Sequence, residues 1–154
     1  MHAGRLFVLM LLSLFGLSAC AAATAFPPPE PTPDQSWTMR LTQTGGFAGV
    51  HFVIQVTSAG ELKAEDQRTG RTATLHLPPG ELSDLESERR ALISQLPARR
   101  PSACADCFIY DLEVESNTGT IRVLADDITL ASSGAQALIE HLRRLRDEAL
   151  SSVS

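Results

Sequence analysis

Apolar positions along this chain change period more than once. From Trp37 to Thr44, Trp37, Met39 and Leu41 alternate with polar residues. From Val50 to Thr57 the alternation is cleaner, with Val50, Phe52, Ile54 and Val56 on one side and His51, Gln55 and Thr57 on the other. Period two is the mark of a strand with one buried face. The stretch from Ser58 to Gly70 is polar and contains two glycines, so it reads as a loop or a weak strand with turns. Alternation returns at Thr72 to Leu77, with Ala73, Leu75 and Leu77 on one face. The period then turns helical. Pro78-Pro79-Gly80 opens a helix, because proline is tolerated in the first turn. Leu82, Leu85, Leu92, Ile93 and Leu96 form its stripe, and Pro97 and Pro101 stop it. Glu81, Asp84 and Glu86 crowd its start, where the helix dipole favours them.

Phe108 to Glu115 is strand-like again, with Phe108, Tyr110, Leu112 and Val114 inward. Ser116-Asn117-Thr118-Gly119 makes a turn, and Thr120 to Leu124 returns with Ile121 and Val123 inward. Ser132 or Ser133 caps a last helix whose stripe is Ala135, Leu138, Ile139, Leu142, Leu145 and Ala149. Arg143, Arg144 and Arg146 lie late in it, where the dipole favours cations. The order β-β-β-α-β-β-α predicts an α+β fold, an antiparallel sheet of about 4–5 strands with two helices packed on one face. The other sheet face and the loops are then the places for function.

The residues before Trp37 follow different rules. Leu6 to Leu17 is an apolar run of twelve residues, too short for a membrane-spanning helix and suited to the core of a secretory signal. It ends in Leu17-Ser18-Ala19-Cys20, which resembles the lipobox of bacterial lipoproteins. That resemblance makes residues 1–19 a signal peptide and Cys20 the lipidation site, with palmitate among the acyl chains. The protein would then sit on the cell envelope, anchored to a membrane by its lipid. In a diderm host, Ala21 after the cysteine points to the outer membrane, facing the periplasm. Residues 20–36 contain five of the nine prolines and read as an extended, semi-rigid tether. Residues 37–150 form one domain and residues 151–154 a tail.

Net charge is −5, and loss of Arg5 with the signal makes the chain one unit more negative. No nucleic-acid partner is therefore expected, since phosphates need a basic patch. Three cysteines leave Cys104 and Cys107 as a pair once Cys20 carries lipid. Outside the cytoplasm this pair favours a disulfide that pins the loop before the Phe108 strand. The alternative is the redox pair of a thiol–disulfide enzyme, but no βαβ pattern precedes it. His51, His76 and His141 are scattered over two strands and a helix, so no metal site is expected. Asp126-Asp127 reads as a turn before the last helix. The single lysine, Lys63, lies in the polar stretch. No nucleophile elbow, phosphate loop or HExxH is present. The expectation is a protein with no catalytic residues, no metal and no cofactor.

One short stretch stands out against this background. Thr44-Gly45-Gly46-Phe47-Ala48-Gly49 joins the first two strands with far more glycine than a hairpin needs. Glycine permits positive φ and close backbone approach. Two readings are open. Phe47 is either an exposed aromatic anchor for a partner, or a core residue beside a bulge.

The glycine motif, followed by "LHLPPGELSDLESERRALIS", a paired-strand segment and a closing "ALIEHLRRL" helix, resembles the emfourin family. These are small bacterial inhibitors of thermolysin-like metalloproteases. The resemblance runs from about Met39 to Leu145. The lipobox, the tether and the Cys104–Cys107 pair lie outside the family's pattern. It implies a membrane-anchored protein that binds and inhibits a thermolysin-like metalloprotease by blocking its cleft. Gly45, Gly46, Phe47, Ala48 and Gly49 are the candidate partner-binding loop. The alternative is a non-catalytic envelope lipoprotein that serves as a binding or assembly module.

Overall fold

The computed structural model describes residues 36–94, 102 and 104–153. The signal peptide, Cys20 and the tether up to residue 35 lie outside the described residues, as do Leu96, Pro97 and Pro101. The elements run β1 (Trp37–Gly45), β2 (Val50–Thr57), β3 (Glu61–Asp66), β4 (Arg71–His76), α1 (Pro79–Ser94), β5 (Phe108–Ser116), β6 (Gly119–Asp126) and α2 (Gln136–Ser151). A short 3-10 turn, Leu130–Ser132, precedes α2. All strands join one antiparallel sheet in the order β4-β3-β2-β1-β5-β6. The fold is α+β, as expected, but the sheet has six strands rather than four or five.

The additional strand is β3, where the sequence suggested a loop or a weak strand and the strand reading holds. Its outward residues Glu61, Lys63 and Glu65 are charged, and only Leu62 and Ala64 face inward. Such a strand has little β-propensity of its own. It forms because β2 and β4 pair with it on either side. Lys63 therefore stands on a strand, paired with Glu65 at 2.6 Å.

Inward side chains from every strand meet both helices in one core. Met39 and Leu41 from β1, Ile54 and Val56 from β2, Leu62 from β3, Ala73 from β4, Leu112 and Val114 from β5 and Val123 from β6 are buried. Leu85 and Leu92 of α1 and Leu138, Ile139, Leu142, Leu145 and Ala149 of α2 close over them. Leu82 is half-buried against this cluster. Ile93, expected in the α1 stripe, is exposed. Trp37 is buried at the start of β1, and the Arg89 guanidinium lies 5.8 Å from its ring centroid.

The opposite sheet face is largely polar, with Val53 buried and Ile109 exposed among its apolar members. Lys63, Gln55, Arg40, Glu113 and Arg122 lie in register across it. Arg122 grips Asp111 with two nitrogens. Exposed pairs of this kind contribute little to stability, so the face keeps the sheet hydrated rather than holding it together.

The last helix begins and ends in ways the sequence only partly signals. Ser133 accepts a hydrogen bond from the Ala135 amide, while the residue at the cap, Ala135, offers no side-chain acceptor. Arg71 of β4 donates to the Leu150 carbonyl at the helix end. Arg146 was expected late in this helix, where the dipole favours cations, and the last turn itself carries no basic residue. Arg146 is buried, donating to Gln43 Oε1 and lying 4.4 Å from the centroid of the Phe52 ring. Gln43 sits on the inward face of β1 and takes one guanidinium nitrogen, while the other two face the Asp147 carboxylate at 2.7 and 2.8 Å, so the buried cation has both a polar and a charged partner.

The two helices are joined by His141, whose Nε2 is 2.8 Å from Glu81 and whose Nδ1 is 3.0 Å from Glu88. Arg144 adds a guanidinium to Glu81 at 2.9 Å. His141 first, and Arg144 after it, hold the Glu81 carboxyl below the ordinary glutamate value of 4.5. A depressed carboxylate contributes stability that is present above the unfolded pKa and lost as pH falls through the folded one. Acid should therefore weaken the helix pair at and below pH 4.5. Thermal melts across that range should show a shallower acid decline for Glu81→Gln than for the parent. Parallel declines would show that this contact does not couple to folding.

Candidate functional site

Four connections gather at one end of the sheet. The β1–β2 hairpin and the β3–β4 turn close there, β5 begins there, and β6 leaves there. The hairpin is the most prominent. Gly49 N–H donates to the Gly46 carbonyl at 2.9 Å, closing a four-residue turn with Phe47 and Ala48 at its centre. Gly45, Gly46 and Gly49 have φ of 89°, 68° and 58°. These three glycines take the left-handed conformations that cost a side-chain-bearing residue about 1–2 kcal/mol each. Phe47 and Ala48 are thereby left in ordinary backbone regions, since no non-glycine residue has positive φ among the described residues.

Two of the glycines are required a second time by crowding. A Cβ on Gly45 would fall 2.6 Å from the Cys107 carbonyl oxygen, and one on Gly46 would fall 2.4 Å from the Phe108 ring. The Gly46 N–H donates to that same Cys107 carbonyl at 3.1 Å. The hairpin is thus pressed against the segment that leads into β5. On its other side Arg68, from the β3–β4 turn, donates to the Ala48 carbonyl. Asp66 shapes that turn by accepting from the Arg68 amide at 3.0 Å and the Thr69 hydroxyl at 2.7 Å. The Thr69 hydrogen bond is the main cause of its lowered pKa.

With its backbone held on both sides, the hairpin turns its one aromatic outward. Phe47 is 99% exposed. Of the two readings of this residue, the core position is therefore excluded. Ile128, at the same sheet end, is also exposed.

The segment leading into β5 is held in turn. Cys104 and Cys107 are joined by a disulfide, with Cα atoms 5.6 Å apart. Asp126 reaches Ser102, two residues before this bridge, accepting from both its amide and its hydroxyl. Its other oxygen accepts from the Ile128 and Thr129 amides and the Thr129 hydroxyl. These hydrogen bonds, led by the Ser102 hydroxyl, hold the carboxyl well below the usual aspartate range. Asp127 takes the other end of the bridge. It accepts from the Phe108 amide at 2.7 Å and the Tyr110 hydroxyl at 2.8 Å. Burial, reinforced by Asp127, pushes the Tyr110 hydroxyl up to about 12, so it stays a donor. Asp126 closes β6 and only Asp127 lies in the turn that follows it, so the expected turn begins one residue later. The further task of the pair, clamping a disulfide loop at both ends, leaves no sign in the sequence, because the partners lie 17 to 24 residues away.

The remaining polar residues do not converge on a reaction centre. His51 is half-buried on the outward face, His76 is exposed and His141 lies between the helices. No group of three or more metal-ligating side chains occurs among the described residues. A shallow depression of 410 Å³ lies at the far end of the sheet, near Trp37, Thr57, Ser58, Glu115 and Asn117. It is broad and open, and no titratable pair faces into it. No helix among the described residues is long and apolar enough to cross a membrane. Comparison with protein-family models and with curated proteins returns no match.

The hairpin geometry yields a sharp expectation. Gly46→Ala must place a methyl group inside the Phe108 ring while adopting a left-handed backbone. It should destabilise the protein by about 2–4 kcal/mol. Gly49→Ala meets no atom within 4 Å and suffers only the backbone cost. It should lose no more than about 1–2 kcal/mol. Urea unfolding of both variants checks the order, and equal losses would mean that the ring contact does not matter.

Proposed function

We propose that this chain is a membrane-anchored, emfourin-like protein that binds and inhibits a thermolysin-like metalloprotease by blocking its cleft, without chemistry of its own. The observation that carries the proposal is Phe47, a fully exposed aromatic on a hairpin whose backbone is fixed from both flanks. An exposed phenylalanine has no reason to be braced unless its position matters. Burying such a ring in an apolar pocket contributes about 1.5–3 kcal/mol. Rigid presentation lets most of that appear as affinity, because little ordering remains to be done on binding.

The test is inhibition of a thermolysin-like metalloprotease by the full-length chain in detergent, with Phe47→Ala in parallel. The parent should inhibit at micromolar concentration or below. Loss of a contact worth about 2 kcal/mol should weaken Phe47→Ala roughly thirty-fold. The variant should melt with the parent, since Phe47 buries nothing. Absence of inhibition by the parent would overturn the protease assignment, and recovery of another envelope component on the same hairpin would establish an assembly module.

A further inference from the structure

We infer that the outer edge of β4 is a pairing surface for a second copy of this chain, joining two sheets edge to edge through antiparallel β4 strands. The inference starts from the direction of the main-chain groups. The Leu77 amide donates to the Gly60 carbonyl at 2.8 Å, one step beyond the Glu61–His76 pair of the β3–β4 register. In an antiparallel ladder, pairs that exchange hydrogen bonds alternate with pairs that do not. Leu75, Ala73 and Arg71 therefore point their N–H and C=O groups toward β3. Thr72, Thr74 and His76 point theirs the other way. β4 is the last strand on its side of the sheet. Among the described residues, no main-chain hydrogen bond reaches these three from beyond it.

An edge strand is normally guarded by lysine, proline, a bulge or an inward charge. β4 has none of these. Its register with β3 is unbroken from Arg71 to His76, and Thr72 to Leu75 carry no charge. Arg71, at the first position, donates to the Leu150 carbonyl of α2. The opposite edge is different, since β6 carries Arg122 and Asp126, and Asp126 holds Ser102 beside it.

The occupant follows from the sequence of the strand. Laid antiparallel to its own copy with Thr74 facing Thr74, β4 sets Thr72 against His76 and His76 against Thr72. Every residue in these three pairs has its N–H and C=O directed outward, so each pair exchanges two hydrogen bonds. Shifting one copy by two residues opposes His76 either to Gly70, whose amide is already bound to Asp66, or to Thr74 with Thr72 left against Pro78, which has no amide. The centred register is thus the one that uses every open group. On the inward face it places Ala73 beside the half-buried Leu75. On the outward face no two like charges meet. The contact is self-complementary, and two-fold symmetry closes it. The joined sheet has two six-stranded halves with their hairpins at opposite ends. This inference uses no part of the protease reading.

Sedimentation of the full-length chain in detergent, from about 1 to 100 µM, tests it. The parent should pass from one chain to two. Thr74→Glu should associate at least about tenfold more weakly, because two carboxylates would meet at the symmetry axis. Within one copy the new side chain is exposed and stands opposite Lys63, so its melt should match the parent. Thr74→Cys should form a disulfide-linked dimer on mild oxidation, since hydrogen-bonded partners have Cα atoms about 5.5 Å apart. Thr72→Cys should not, because a four-residue offset separates its copies by roughly 14 Å. A parent that stays single at every concentration would overturn the inference. So would a Thr74→Glu dimer as tight as the parent's, or equal cross-linking of the two cysteine variants. Slow exchange of the Thr74 amide in a chain of single mass would give the edge to another segment, the tether included, and would overturn it as well.

Discussion

Strand β1 has a hydrogen-bonded neighbour on each side, β2 and β5, and both pairings extend almost along its full length. Its inward residues Trp37, Met39 and Leu41 are buried, and Gln43 continues the line as the partner of Arg146. The core is thus apolar at the end where the chain enters and polar near the end where the hairpin projects. Burial of that glutamine and arginine would be costly if either stood alone. Paired, they fix how the end of α2 seats beneath the hairpin, as the Arg71 contact to Leu150 does from β4.

From this strand outward, rigidity is passed along by contacts that are individually small. The helices press the inward face and leave the opposite face to water. The two aspartates at the end of β6 capture the segment before β5, and that segment captures the hairpin. Apart from the helix packing, none of these steps uses a large apolar surface. They work because each acceptor is met by donors at good distance, so no alternative arrangement satisfies as many groups.

Much of the architecture was legible in the sequence, and the exceptions share a cause. The strands with strict alternation, such as Val50–Thr57 and Phe108–Ser116, and the α2 stripe are written in the identity of the residues themselves. β3 is not, because its formation depends on partners on both sides rather than on Glu61, Lys63 or Glu65. The burial of Arg146 was not legible, because nothing local announces that Gln43 waits opposite it. Ile93 was placed in the core stripe on spacing alone, yet the face it occupies near the end of α1 is exposed. At the candidate site the glycines were readable and the direction of Phe47 was not. Spacing tells that the backbone must be unusual, but which side the aromatic takes is decided by Phe108 filling the place beneath Gly46.

Because Phe47 touches nothing in the folded protein, the residue at that position is free of the packing constraints that govern its neighbours. Folding fixes the glycines, the disulfide and the aspartates around it. The side chain at the tip can change without penalty to the frame. Such a division lets descendants of one scaffold diverge in what they recognise while folding identically, and it gives an engineer a single site to vary in search of new targets.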